Sequence, residues 1–248
     1  PYPYYEKIRA ESPIFYWEDF NIWCFLNHAD VGAVLRNRKF GTQIDHLGSR
    51  ESLGLPPIPS EIKEFTDMDA NGILGMEPPR HNQIRGLVQK SFMARQIENF
   101  KPRIEELSHH LIDQMLHEKS ANLLESFATP IPITIIAEML GVPTTMNSQL
   151  LAWSHAMVRM YQLGHTAQDE INAVRATQEF SAYLNTHITQ RKANPQDDLI
   201  TLFIEAHTEG NQLTAEELIA NSILLLNAGH EATVNVIGNG IFALLKHP

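Results

Sequence analysis

The sequence predicts a mainly α-helical fold with one small β element near its start. Helical periodicity runs almost without interruption from Arg80 onward. Aromatic and β-branched residues concentrate only between Pro13 and Leu26. The stretch from Thr214 reads as one helix much longer than the others. At 248 residues and 43% hydrophobic content, the chain is long and apolar enough to bury a sizeable core.

The elements follow in order. Pro13-Ile14-Phe15-Tyr16-Trp17 and Ile22-Trp23-Cys24-Phe25-Leu26 read as a hairpin, with Glu18 to Asn21 as its turn. Asp30 is expected to cap a short helix running toward Arg36. Gly41 to Pro79 carries several Gly and Pro residues with little periodicity, and reads as a long, partly helical loop of the kind that forms lids or binding walls. Helices are then expected near 80–93, 97–117, 121–139, 145–161, 169–192, 197–208 and 214–247. Gly141-Val142-Pro143, Asn194-Pro195 and Gly210-Asn211 separate some of them. Thr214 and Glu217 form a capping box for the last, which at about 1.5 Å per residue would cross a large domain as its central helix.

Charge and cysteine content exclude several functions. Nineteen Lys and Arg against 29 Asp and Glu give a net charge of −10, unsuited to binding nucleic acid or an anionic membrane. Cys24 is the single cysteine, so an internal disulfide framework is ruled out and a reducing compartment fits. No apolar run reaches the ~18 residues of a membrane span, and no signal segment opens the chain. A soluble, cytoplasmic protein is the expectation. The start at Pro1 without a methionine, and the stop at Pro248 directly after an apolar helical pattern, suggest a fragment.

Two stretches carry chemistry. Leu224 to Thr233 places a glycine and an ionisable pair, Gly229-His230-Glu231, inside an apolar helical run. An interior glycine weakens a helix by ~1 kcal/mol relative to alanine, and a buried carboxylate needs a partner, so this helix is shaped around a ligand. Pro78 to Ile97 contains no acid and four fixed positive charges, Arg80, Arg85, Lys90 and Arg95. His81 and Arg85, four residues apart, share a helical face and can hold an anionic group; a solvated basic face is the plainer reading.

Together these stretches resemble the cytochrome P-450 superfamily of haem-thiolate monooxygenases, in its soluble bacterial form. Met76-Glu77-Pro78-Pro79-Arg80-His81-Asn82-Gln83-Ile84-Arg85-Gly86-Leu87-Val88 is similar to the family's C helix, and Ala228-Gly229-His230-Glu231-Ala232-Thr233 to its I helix, which crosses over the haem. Phe127 to Pro143 resembles the E-helix region, and Asp197-Asp198-Leu199-Ile200 the segment before the I helix. The likeness spans essentially the whole chain. It implies that residues 1–248 are the N-terminal part of a single cytochrome P-450 domain, roughly three-fifths of it, ending after the I helix.

The resemblance also implies roles. His81 and Arg85 would bind the propionates of haem b, and Ala228 and Gly229 would lie against its distal face. Glu231 would hold the acid position of the family's acid and alcohol pair, which delivers protons to iron-bound oxygen. The parent enzyme would insert one oxygen atom from dioxygen into a small apolar substrate, with electrons from a ferredoxin or flavodoxin docked near Lys90 and Arg95. The Gly41–Asn71 loop and Trp153–His165 would line the pocket, where Phe65, Met68, Met157, Met160 and Tyr161 serve either a ligand or the ordinary core.

This sequence departs from the family pattern in two places. Ala232 occupies the usual threonine position, and Thr233, one residue on, is turned by about 100°. Proton delivery then depends on water, on a substrate hydroxyl, or on a peroxide-using or coupling reaction that needs no relay. The Glu-x-x-Arg helix and the axial-cysteine loop do not occur within the chain, so the axial ligand is expected beyond Pro248, and Cys24 reads as a structural residue. A helical binding fragment that never carries haem is the non-enzymatic alternative.

Other signatures are incomplete. His230-Glu231-Ala232-Thr233-Val234 begins like the zinc-protease string His-Glu-x-x-His but ends in Val234. His109, His110 and His117 read as surface residues rather than metal ligands. Phosphate-binding glycine loops and the serine-hydrolase elbow are absent from the sequence.

Overall fold

The computed structural model describes the backbone of residues 2–44, 47–91, 94–208 and 213–247, with side chains for these apart from 90–91, 94–97 and 206–208. The chain forms two compact units, residues 1–48 and 49–248.

The first unit contains α1 (Tyr2–Glu11), β1 (Ile14–Trp17), β2 (Ile22–Phe25) and α2 (His28–Arg36). Helix α1 was not anticipated from the sequence, because it buries no residue and so carries no apolar stripe. The hairpin is as expected, antiparallel, with Tyr16 opposite Trp23 and Trp17 opposite Ile22. Asn21 closes its turn at φ 56°, a left-handed conformation that asparagine tolerates. The Tyr16 and Trp23 rings meet at 5.2 Å, a cross-strand aromatic pair that fixes the register. The expectation for Asp30 needs correction. Asn27 is the cap residue, and Asp30 lies in the first turn, where its carboxylate complements the helix dipole and accepts from Asn27 Nδ2 at 3.1 Å.

The second unit opens with α3 (Lys63–Ala70), flanked by single 3-10 turns at Ser60–Ile62 and Ile73–Gly75, so the expected loop is partly helical. Helices α4 (Arg80–Ser91) and α5 (Ala94–Leu116) come next. The helix expected over 121–139 is divided. Leu124–Ala128 forms a π-helical turn, with the Thr129 amide donating to the Leu124 carbonyl at 2.9 Å, and α6 (Pro130–Leu140) starts anew. Pro130 and Pro132 favour the break: neither has an amide to donate, so both cost least in a first turn.

The remaining helices are α7 (Asn147–Val158), α8 (Ala167–Ala193), α9 (Leu199–Thr208) and α10 (Ala215–Lys246). The Gly210-Asn211 break lies outside the described residues. Capping boxes start two of these helices, the expected one at Thr214 with Glu217 and a second at Thr166 with Asp169. Gly141, at φ 75°, ends α6 in the left-handed conformation that glycine adopts without penalty. Its carbonyl accepts from Arg191 Nη2 at 2.7 Å. Arg191 also pairs with Asp198, and Asp198 accepts from the Thr201 amide at 2.8 Å, capping α9. The Arg191–Asp198 pair thus joins the end of α6, the end of α8 and the start of α9.

The core of this unit lies among α6, α7, α8 and α10. Trp153 of α7 stacks on Phe180 of α8 with centroids 4.9 Å apart, beside the fully buried Leu150, Met157 and Leu184. Helix α6 buries Ile131, Ile133, Ile136 and Leu140, which explains its nearly continuous apolar sequence. Helix α10, of 32 residues and about 48 Å, is buried along its first half through Leu218, Ile219, Ile223 and Leu226. Its second half is more exposed, with Val236, Phe242, Leu244 and Leu245 all facing solvent.

Candidate functional site

The basic stretch that looked uniform in the sequence is divided by the fold. Arg80, at the start of α4, reaches across to α10 and makes a two-pronged ion pair with Glu217, whose side chain is 8% exposed. Glu217 also accepts from the Thr214 amide at 2.8 Å as part of the capping box. Burial, the largest influence on this carboxyl, raises its pKa, but the Arg80 and Thr214 hydrogen bonds outweigh it and hold the group below its ordinary value. Arg80 is therefore structural.

One helical turn along α4, Arg85 is exposed and makes no hydrogen bond or ion pair among the described residues, while His81 is half-buried with Nδ1 3.3 Å from Asn82 Oδ1. Both can donate to an external carboxylate. This donor set fits the propionates of the haem that the family resemblance implies. The side chains of Lys90 and Arg95 lie outside the described residues.

On α10 the six residues Ala228 to Thr233 turn in different directions. Ala228 and Ala232 are exposed, and their four-residue spacing puts two methyl groups on one face, a low surface on which a flat ligand can rest. Gly229 is half-buried and meets a different demand. A Cβ there would come within 3.0 Å of Ile136 Cγ1, so the missing side chain is what lets α6 approach α10. Thr233 is exposed, and its hydroxyl donates to the Gly229 carbonyl at 3.2 Å, within its own helix.

His230 is 1% exposed, and its Nδ1 lies 2.9 Å from the Leu226 carbonyl. A carbonyl only accepts, so Nδ1 carries the proton and Nε2 is left as a bare acceptor. That Nε2 is buried without a hydrogen-bond partner among the described residues. Burial pushes the imidazole pKa below its ordinary value. Glu231 is half-buried next to it, and His155 of α7 brings its ring to 6.0 Å from the His230 ring. Sequence reasoning missed His155, because the contact spans two helices and leaves no local signal. His109, His110 and His117 are exposed, as expected.

Of the side chains suggested as a pocket lining, Phe65 and Met157 belong to the core at 4% and 0% exposure. Tyr161 is exposed, and its hydroxyl donates to Asp69 Oδ1. A crevice of only about 10 Å³ lies there, lined by Met68, Leu74, Tyr161, Ile223, Leu224 and Asn227. Asn227 Oδ1 is buried in its wall without a hydrogen-bond partner among the described residues. Cys24 is half-buried in β2.

Residues 57–248 match the family model described as cytochrome P450. The chain is 35% identical over 257 residues to the cytochrome P450 monooxygenase PikC of Streptomyces venezuelae, covering 100% of this chain and 57% of that protein. It is 30% identical over 253 residues to the polyketide biosynthesis cytochrome P450 PksS of Bacillus subtilis (strain 168), covering 100% and 60%. Its fold is similar to the crystal structure of P450BioI in complex with hexadec-9Z-enoic acid ligated acyl carrier protein, with a TM-score of 0.89, 28% identity, and coverage of 100% of this chain and 62% of that one. The epothilone B-bound cytochrome P450epoK superposes with a TM-score of 0.85 at 26% identity, covering 98% and 61%. The chain thus spans about three-fifths of the length of these relatives.

Proposed function

Because this chain belongs to the cytochrome P450 family, we propose that it is the haem-contacting part of a monooxygenase that inserts one oxygen atom from dioxygen into a small, largely apolar organic substrate. A ferredoxin or flavodoxin supplies the electrons. The observation that carries the reading is the contrast on α4, where Arg80 is taken up by Glu217 while Arg85, one turn from His81, has no partner among the described residues. Haem b, when bound, supplies the iron at which dioxygen is activated.

The chain's own residues do the rest. Arg85 and His81 hold the propionate carboxylates through charge-assisted hydrogen bonds. Ala228 and Ala232 keep the α10 face low enough for a ligand to lie against it. Apolar side chains such as Met68, Leu74, Tyr161 and Leu224 line the side from which an apolar substrate is taken up. Glu231, a half-buried acid, holds the proton to be delivered. No hydroxyl stands at position 232, and the Thr233 hydroxyl is occupied by the Gly229 carbonyl, so the proton crosses through water or a substrate hydroxyl.

Two measurements test this. The complete gene product that contains these residues should give the red-shifted ferrous carbonyl spectrum of a thiolate-ligated haem and turn over with dioxygen and reductant. A stable protein that retains no haem would sink the proposal. Ala232→Thr is expected to change the ratio of product to electrons consumed, and to change the rate of the proton-transfer step by up to about a hundredfold, the lower end for one positioned proton-transfer group. Unchanged coupling and rate would remove position 232 from the mechanism. The committed Thr233 hydroxyl also favours a second reading, peroxide-driven or coupling chemistry, which product formation with peroxide alone would reveal.

A further inference from the structure

The Val234 that spoils the zinc signature in the sequence is made good by the fold. His155 of α7, His230 of α10 and Glu231 each place one ligand atom so that all three lie within 4.8 Å of one another. We propose that these three residues form a binding site for a single divalent transition cation, zinc by preference, which shares Glu231 with the proton-delivery role proposed above. Two imidazoles and a carboxylate are a donor set zinc accepts, with the fourth position left to water.

The strongest support is His230. Its Nδ1 donates to the Leu226 carbonyl, the arrangement that orients a metal-ligating histidine and leaves the Nε2 lone pair available to a cation. That Nε2 is buried and has no partner among the described residues, although buried polar atoms nearly always have partners. A cation supplies one. Tetrahedral zinc with bonds of about 2.0–2.1 Å brings its ligand atoms to about 3.3 Å from each other, so the set must close slightly. His230 is fixed by its surroundings, whereas His155 is exposed and Glu231 half-buried, so these two can make the adjustment by changing rotamer. A bound cation would also engage the Glu231 carboxylate and inhibit turnover, a consequence that rests on the proton-delivery reading of Glu231.

Isothermal titration calorimetry of zinc chloride into the purified protein, in a weakly coordinating buffer, tests the site. The wild type is expected to bind one equivalent. His155→Ala, an exposed change that leaves the core untouched, and Glu231→Gln should each weaken binding at least about tenfold, while a His109→Ala, His110→Ala double variant should bind as the wild type does. Wild-type affinity in His155→Ala, or only weak binding of several equivalents, would overturn the proposal and assign the zinc to scattered surface histidines. Because binding rather than turnover is read, failure here is distinct from failure of the monooxygenase reading.

Discussion

Arg80→Met is expected to lower the free energy of unfolding by about 2–4 kcal/mol, because it strands the Glu217 carboxylate in a buried position. The full cost of breaking a buried pair is reduced here by solvent, since the Arg80 side chain is 34% exposed. The loss should depend on pH in a definite direction. In the wild type Glu217 is held below its ordinary value near 4.5, so its contribution is present above that value and fades as pH falls through the lower folded one. Without Arg80, burial dominates and raises the carboxyl instead. The variant's deficit is therefore largest near neutral pH and shrinks as Glu217 takes up a proton. Urea unfolding at about pH 7.5 and about pH 4 would show this, and an equal deficit at both would refute the assignment. Glu217→Gln in the Arg80→Met background should recover part of the loss, since a neutral amide is cheaper to bury than an unpaired carboxylate.

Replacing both His81 and Arg85 by alanine should act on haem retention rather than on folding. A hydrogen bond to a charged group contributes about 1.5–3 kcal/mol, so each replacement is expected to weaken retention by roughly 10- to 100-fold. The two effects should nearly add if the residues hold different propionates, and fall short of adding if they share one. Unfolding free energy should move by no more than about 0.5 kcal/mol for Arg85→Ala, an exposed side chain with no partner among the described residues. Haem transfer to excess apomyoglobin measures the first quantity and urea unfolding the second. A transfer rate unchanged in the double variant would remove α4 from the haem site. Arg80 provides the contrast: its loss should lower stability first.

Much of the helical framework was legible because its signals are local. The box at Thr214 and Glu217 announces α10, and Gly141-Val142-Pro143 announces the end of α6. Where the sequence misled, a local rule was overlooked or a signal was lacking. Pro130 and Pro132 favour a fresh helix start within 121–139, and α1 has no buried face to give it a period. Asp30 resembles a cap in composition, yet it serves in the first turn because Asn27 already occupies the cap position.

The chemistry was legible only as residue types. The sequence by itself determined the mainly helical class, the small hairpin, the anionic balance and the two stretches that carry the family resemblance, because each depends on identity and spacing within a few turns of one element. Tertiary structure alone decided that Arg80 is bound to Glu217, 137 residues away, while Arg85 has no partner among the described residues. It also decided that Gly229 makes room for Ile136 and that His155 faces His230. These choices depend on which helix faces which, and helix packing is set by side-chain surfaces that meet only after the chain has folded.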